Sequence, residues 1–220
     1  MTEQVTESLR AMILMGELLP GARITQDELA TELRVSTMPV REALLALAHE
    51  GFVDVRKGRS FQVAVTTRSD IADVYWLHAI VSGELTARAA ERIDEAGLDD
   101  LSSAHEDWIK AGEAGDTTYL ESANFAFHRV LNKAARSPRL LMVLRQTLRM
   151  IPEHFYSLIP DWYANSTHGH SAILEAVRSR DAALARREAM THVEDAGNML
   201  LGYFDDQGYW MQPPMRNDVR

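Results

Sequence analysis

Residues 35–44 read VSTMPVREAL, and this stretch decides the fold of the N-terminal part of the chain. It begins with short polar residues and continues with apolar residues at helical spacing as far as Leu47. Pro39 falls in the first turn, where its missing backbone N–H has no partner to lose. The pattern predicts a helix with an exposed polar start and a buried apolar face, which is typical of a DNA recognition helix.

The flanking segments extend this helix to a complete domain. Residues 3–15 carry apolar side chains at helical spacing, and a capping box of Thr25 and Glu28 begins a second short helix. After the recognition segment, two strand-like runs flank a turn at residues 56–59. Three helices followed by a hairpin indicate a winged helix-turn-helix, which we expect over residues 1–66.

The chain after Thr66 shows no further strand signals. Its amphipathic segments predict six helices, with Asp116 and Asp181 as N-caps of two of them. The predicted helices cover residues 69–93, 98–114, 117–135, 139–158, 162–178 and 182–204. We therefore expect a mostly α protein in which residues 67–204 form an all-α helical bundle and residues 205–220 form a tail.

Composition narrows the class of protein. The chain has no cysteine, which excludes disulfides, thiolate nucleophiles and cysteine-type zinc sites. It has neither a long apolar run nor a secretory signal after Met1, so we expect a cytoplasmic protein with no membrane partner. The net charge is −9, and residues 1–66 contain 7 basic and 9 acidic residues. A DNA-binding role therefore depends on where the positive residues lie.

The candidate DNA contacts fall in two places that a winged helix presents to one duplex. The first is the start of the recognition helix, and the second is the tip of the hairpin, which would approach the phosphate backbone or the minor groove. The predicted contacts are Arg34, Ser36, Thr37, Met38, Arg41, Lys57, Gly58 and Arg59. The alternative is that the charged members of this set are ordinary solvated surface residues.

Four residues of the helical part have spacing suited to a metal site. Asn124 and His128 are four residues apart and project from one helical face, while His170 and His192 lie on two later helices. Three imidazoles and an amide oxygen suit Zn²⁺, Ni²⁺ or Co²⁺, with positions left open for a ligand. The alternative is that these histidines satisfy buried hydrogen bonds.

Residues 9–65 resemble the DNA-binding domain of the GntR family. The similarity is carried by Leu19-Pro20-Gly21, by residues 35–44 and by residues 47–52. The resemblance implies a winged-helix transcription regulator. Thr37 stands where the family usually has arginine, which removes a base or phosphate contact, and Ser60 stands where the wing often has glycine.

Residues 69–204 are similar to the FCD domain, the helical effector domain of the FadR subfamily. In that domain an Asp-x-x-x-His pair and two later histidines bind a metal, which implies the same role for the four residues above. Asn124 replaces the aspartate and removes one negative charge from the site. His78 stands where the family often has arginine, and Ser82 where it often has glutamate. We predict that His78 contacts the effector, and the alternative is that it only packs in the bundle.

Together these observations predict a homodimeric repressor that binds an inverted repeat in double-stranded DNA. The FCD resemblance implies a small organic acid that completes the coordination of the metal and changes operator affinity. One alternative is a DNA-binding dimer without effector or metal response. The other is a helical-bundle metalloenzyme, but the chain lacks Glu-x-x-His and His-Glu-x-x-His motifs, and no catalytic residue is assigned.

Two further histidines receive no role, and the aromatic residues receive structural ones. His105 and His154 have no partner at helical spacing. The aromatic side chains are predicted to form core and cavity lining, and they are Trp76, Phe125, Phe127, Phe155, Tyr156 and Trp162.

Overall fold

A computed structural model describes residues 2–14, 16–56, 60–150, 159, 161–208 and 210 of the chain. The chain divides into two compact units, one of residues 1–67 with those from 208 onward and one of residues 68–207. Helices dominate both units, so the predicted winged helix-turn-helix followed by an all-α bundle is confirmed. Among the described helices, none has the length and hydropathy needed to cross a lipid bilayer.

The first unit is built on three helices that share one apolar core. Leu9, Leu44 and Leu47 are completely buried at the centre of this core. At its edge Arg10 is buried and forms ion pairs with Glu7 and, at 2.6 Å, with Glu50, which ties the first helix to the end of the third. The helices are α1 (Thr2–Leu14), α2 (Gln26–Glu32) and α3 (Thr37–His49).

A small antiparallel sheet completes this unit. Its strands are β1 (Arg23–Ile24), β2 (Val53–Arg56) and β3 (Ser60–Val63), in the order β1-β3-β2. The hairpin of β2 and β3 was predicted. In the structure its register places Val53 opposite Val63. Strand β1 was missed because two residues are too few to show an alternating pattern. Residues 57–59, at the predicted wing tip, lie outside the described residues.

Helix caps were predicted with mixed success. Asp116 and Asp181 are N-caps as expected, and their carboxylates accept hydrogen bonds from the backbone N–H groups of Tyr119 and Leu184, each at 2.9 Å. Thr25 also occupies an N-cap position, but its hydroxyl makes no capping bond, so the predicted capping box with Glu28 is wrong. The carbonyl of Thr25 instead accepts from the N–H of Leu29, as helix continuation requires.

The second unit contains the six predicted helices. Two of them end two or more residues from the predicted position. Helix α7 stops at Leu148, ten residues before its predicted end at Leu158, and residues 151–158 lie outside the described residues. Helix α9 continues to Asp206 and so includes the first two residues of the predicted tail. The helices are α4 (Arg68–Arg92), α5 (Glu95–Ala114), α6 (Thr117–Ala134), α7 (Pro138–Leu148), α8 (Trp162–Arg178) and α9 (Ala182–Asp206).

Helices α4 and α9 pack closely because glycine replaces a side chain at two contacts. A Cβ on Gly83 would lie 2.6 Å from Cγ of Met190, and one on Gly197 would lie 2.6 Å from Cγ of Tyr75. The core beside this pair joins α5, α6 and α8 through Leu101, Phe127 and Ile173, all of which are buried. This packing brings the inner faces of α6, α8 and α9 together, and the predicted metal ligands lie on those faces.

Candidate DNA-binding surface and metal centre

The start of α3 is an exposed polar surface backed by a buried apolar one. Ser36 is the N-cap residue, yet its hydroxyl makes no capping hydrogen bond. Thr37 is exposed, and Met38 is 64% exposed. Behind them Val40 is completely buried and fixes the helix on the domain. The short side chains that precede it are therefore free to meet base edges or phosphates.

Arg34 and Arg41 supply the positive charge at this surface. Both are exposed, and the guanidinium of neither forms a hydrogen bond or ion pair with another residue that the structure describes. Arg34 has a φ of 55°, the left-handed conformation that turns the chain between α2 and α3. Two unpaired guanidinium groups flanking a helix start match the geometry expected of phosphate contacts.

The arginine at the described end of the hairpin is paired with other residues. Arg56, at the end of β2, is not a free cation, since its guanidinium donates to Gln62 at 2.8 Å and to Asp54 at 3.0 Å. The three residues proposed for the wing contact, Lys57, Gly58 and Arg59, lie outside the described residues.

Three of the four predicted metal ligands converge in the second unit. His128 on α6, His170 on α8 and His192 on α9 each offer a ring nitrogen, and these three atoms lie within 4.8 Å of one another. The Nε2 atoms of His128 and His170 are 3.3 Å apart. We refer to these three residues as the histidine triad.

Burial keeps the triad neutral. Removal from water lowers the pKa of His128 to about 4, and the same cause, with His128 as neighbour, lowers the pKa of His192 to about 3. Burial also lowers the pKa of His170 well below its usual value, helped by the other two histidines. Neutral imidazoles keep a ring lone pair available at pH 7, and metal binding requires this form.

The triad fits a divalent metal ion. Nitrogen ligands about 2.0–2.1 Å from a tetrahedral zinc lie about 3.3 Å from each other, and the Nε2 atoms of His128 and His170 have this separation. The Nδ1 atoms of His170 and His192 are buried and have no hydrogen-bond partner among the described residues. Three neutral nitrogen donors, two of them on buried residues, with no thiolate in the chain, suit zinc, nickel or cobalt.

Aromatic rings enclose the centre of the triad. His170 is completely buried, stacked on Phe127 at 4.3 Å between ring centroids and edge-on to Trp108 at 4.8 Å. His105, which was predicted to have no role in the site, also lies beside His170, and its Nε2 is 3.2 Å from Oγ of Ser171. No helical spacing links His105 to the triad, because α5 reaches it only through tertiary packing.

The other two residues predicted for the metal and effector site are Asn124 and His78, and they lie on helices α6 and α4. Asn124 is half-buried, one turn before His128 on α6. His78, on α4, is 9% exposed and stacked on Tyr75. Burial, and next the neighbouring His128, lowers the pKa of His78 to about 4, and its Nδ1 has no hydrogen-bond partner among the described residues.

Two aromatic assignments are wrong. Trp76 is 62% exposed and Phe125 is 58% exposed, so neither belongs to the core or lines a cavity within the chain. Phe127 and Trp162 are buried as expected. Phe155 and Tyr156, like His154, lie outside the described residues. The two wrong assignments share a cause: aromatic character alone does not tell which face of a helix packs inward.

Known proteins share both units. Residues 1–63 match the model of "Bacterial regulatory proteins, gntR family". Residues 73–195, more than half of the chain, match the model of the FCD domain. The chain belongs to the GntR family. This GntR-family protein is a DNA-binding transcription regulator, and its relatives are regulators and not enzymes.

Individual relatives cover most of this GntR-family chain. The Nta operon transcriptional regulator of Aminobacter aminovorans is 30% identical, covering 83% of this chain and 86% of its own. The probable D-xylose utilization operon transcriptional repressor of Paenarthrobacter nicotinovorans is 27% identical, covering 86% and 83%. The solved structure of E. coli McbR/YncC has a TM-score of 0.66 at 24% identity, covering 92% and 97%, and this likeness concerns the fold.

Proposed function

We propose that this regulator is a repressor and that it dissociates from its operator when a small organic acid binds at a metal centre. The observation that carries the proposal is the histidine triad, in which three neutral imidazoles from three helices, two of them buried and one half-buried, bring ring nitrogen atoms within 4.8 Å of one another. Three lone pairs gathered in one small volume are best explained by a metal ion that accepts all of them.

The metal would be held by His128, His170 and His192, with the amide oxygen of Asn124 as a fourth ligand, and zinc, nickel and cobalt all suit the set. When bound, the ion supplies a Lewis-acidic anchor for an oxygen anion. Every proposed protein ligand is neutral, so the double positive charge of the ion is left uncompensated. An uncompensated charge in a buried site favours an anionic effector, and a carboxylate is the simplest candidate.

His78 would contact the same effector. It is a buried polar side chain on α4, close enough to His128 for that residue to help lower the pKa of His78, and close enough to His192 to help lower the pKa of His192. Its unpartnered Nδ1 offers a hydrogen bond to a ligand at the triad. A neutral imidazole at this point donates one bond without adding a charge, which suits an acid whose carboxylate is already neutralised by the metal.

The DNA contacts would be made by the exposed start of α3. Ser36, Thr37 and Met38 would meet base edges, and Arg34 and Arg41 would meet phosphates or a guanine edge. The wing residues Lys57, Gly58 and Arg59 would lie along the adjacent backbone or minor groove.

The inverted repeat requires two copies of the chain, and α4 offers a surface for dimerisation. Trp76, Leu77 and Ile80 lie on one face of α4 and are 62%, 41% and 37% exposed. Large apolar groups gathered on one exposed helix face mark association sites. We propose that a second copy covers this face, so that two recognition helices lie about one DNA turn apart.

The direction of control is inferred from a relative and from linkage. The protein from Paenarthrobacter nicotinovorans is named as a repressor. An effector changes operator affinity only if it binds the DNA-competent and the released arrangements with different strengths. Release by the effector is the direction proposed here.

The test uses the purified full chain. Its operator is selected from randomised duplexes, its metal is measured by elemental analysis, and operator affinity is then measured with and without chelator and with a panel of small mono-, di- and tricarboxylates. About one metal ion per chain and a metal-dependent loss of affinity with one acid class would support the proposal. A chain that neither retains nor regains metal, or an affinity unchanged by every acid and by chelator, overturns it and leaves a DNA-binding dimer without a ligand response.

A further inference from the structure

A close contact between two helices lies beside the histidine triad. Helix α8 carries Gly169 immediately before His170, and the imidazole of His192 on α9 lies against it. A Cβ built on Gly169 would lie 2.4 Å from Nδ1, 3.0 Å from Cγ and 3.2 Å from Cβ of His192. The first of these distances is shorter than 3.0 Å, and real Cβ atoms essentially never make contacts that short. Any side chain at position 169 must therefore move this imidazole or push α8 and α9 apart.

The backbone at Gly169 does not itself require glycine. The residue lies within α8 and does not have the positive φ that side chains disfavour. Glycine inside a helix costs about 0.5–1 kcal/mol relative to alanine. The gain that offsets this cost is the space given to the ring of His192.

Packing holds this ring in place. In metal sites the second ring nitrogen of a histidine ligand usually donates to a carboxylate or a carbonyl, and this bond fixes the ring orientation. The Nδ1 of His192 makes no such bond within the described residues and faces Gly169. On its other side the ring contacts His170 and His128, at 4.8 and 5.3 Å between ring centroids.

We infer that Gly169 is a positioning residue of the metal centre, where the missing side chain lets the imidazole of His192 reach the other two histidines. This inference rests on the proposed metal-binding function. It gives Gly169 the task that a hydrogen-bonding partner performs in other sites. The effect on metal binding acts through one ligand, His192, so combining Gly169→Ala with His192→Ala tests it.

The experiment compares Zn²⁺ binding by the wild-type full chain with binding by Gly169→Ala and Gly202→Ala. Gly202 is the matched control, since it lies in helix α9 and a Cβ there would have no neighbour within 4 Å. We expect Gly169→Ala to weaken Zn²⁺ affinity about 10–100-fold, the usual cost of disturbing the support of a metal ligand. Gly202→Ala should leave the affinity within about twofold of wild type, since it touches no neighbour.

A second pair of variants separates positioning from general damage. Once His192→Ala removes the ring, the methyl group added at position 169 still meets Cβ of residue 192, at 3.2 Å, a contact that a shift of a few tenths of an ångström relieves. Gly169→Ala in the His192→Ala background should then cost less than about twofold in further Zn²⁺ affinity, and it should lower the Tm of the metal-free protein less than Gly169→Ala does alone. The visible absorption of the Co²⁺-loaded protein, which reports the ligand geometry, should change in Gly169→Ala but not in Gly202→Ala.

The outcomes are distinguishable. If the wild type binds no Zn²⁺, the proposed function fails and this inference falls with it. If the wild type binds Zn²⁺ and Gly169→Ala binds it as tightly, the inference alone is overturned. A loss of affinity that is equally large with and without the imidazole of His192 also overturns the inference, since Gly169 would then act by distorting the helix pair.

Discussion

The indole N–H of Trp108 donates a hydrogen bond of 2.8 Å to Oγ1 of Thr167, joining α5 to α8. The hydroxyl of Thr167 in turn donates to the carbonyl of Tyr163 at 2.7 Å. Trp108 is completely buried, and its ring packs on His170. The hydrogen bond between Trp108 and Thr167 therefore holds the indole ring in place against His170, the residue of the triad on which it packs.

Trp108→Phe tests how much the buried, hydrogen-bonded indole contributes to the free energy of unfolding. The change removes the hydrogen bond and leaves a gap in the core, so the free energy of unfolding of the metal-free protein should fall by about 1–3 kcal/mol. Urea denaturation measures the difference. The control is Tyr119→Phe, because Tyr119 is 42% exposed and its loss of a hydroxyl should change stability little. Equal stability of Trp108→Phe and wild type would contradict the prediction.

Glu84→Gln tests an ion pair between the two longest helices. Glu84 accepts from Arg88 at 2.7 Å and from Arg186 at 2.5 Å, and these bonds lower its pKa from the usual 4.5. Because the pKa is lower in the folded than in the unfolded state, the stabilisation is fully present above about pH 4.5 and is lost as the pH falls through the folded-state pKa.

The expected stability difference between wild type and Glu84→Gln is small, below about 1 kcal/mol, because the side chains are partly solvated. It should be present at pH 7 and shrink on acidification towards pH 3, as measured by thermal unfolding at a series of pH values. A difference that grew on acidification would show that the charge of Glu84 does not stabilise the fold.

Arg41→Ala tests the proposed recognition surface. Loss of a phosphate or guanine contact should weaken operator binding by about 1–3 kcal/mol, and loss of a phosphate contact would also reduce the salt dependence by about one ion. Fluorescence anisotropy over a range of salt concentrations measures both. Arg139→Ala, at an exposed position in the helical unit, is the control. Unchanged operator affinity in Arg41→Ala would show that the start of α3 does not face the DNA.

His128→Ala tests the metal centre with a neighbour of the triad as its control. Removing one of three nitrogen donors should lower the metal content and the response to the effector, while the metal-free protein still binds its operator. His168→Ala should behave as wild type, since His168 is exposed although it lies two residues from His170. Elemental analysis after dialysis measures the metal content of each variant. Equal metal content in the two variants would refute the assignment of His128.

Trp76→Glu tests the dimer surface on α4. A charge at the centre of an apolar interface is costly to bury, so this variant should be monomeric at concentrations where the wild type is dimeric. Light scattering coupled to size-exclusion chromatography measures the mass. Met142→Glu, at a 51% exposed position on α7, should remain dimeric. A dimeric Trp76→Glu would require a different interface.

The sequence alone determined the order of the helices and the presence of the β2–β3 hairpin. The stretch at residues 35–44 specified the recognition helix, and Asp116 and Asp181 specified helix starts, because periodicity and capping act within a few residues of each other. The pair Asn124 and His128 could be placed on one helical face for the same reason.

Tertiary structure decided what those elements bring together. The meeting of His192 with Gly169, the place of His105 beside His170 and the exposure of Trp76 depend on which helix faces pack against each other. Residues far apart in the chain do not encode such contacts in any local pattern. They follow from filling one common core at high density, a property of the whole folded unit and not of a segment.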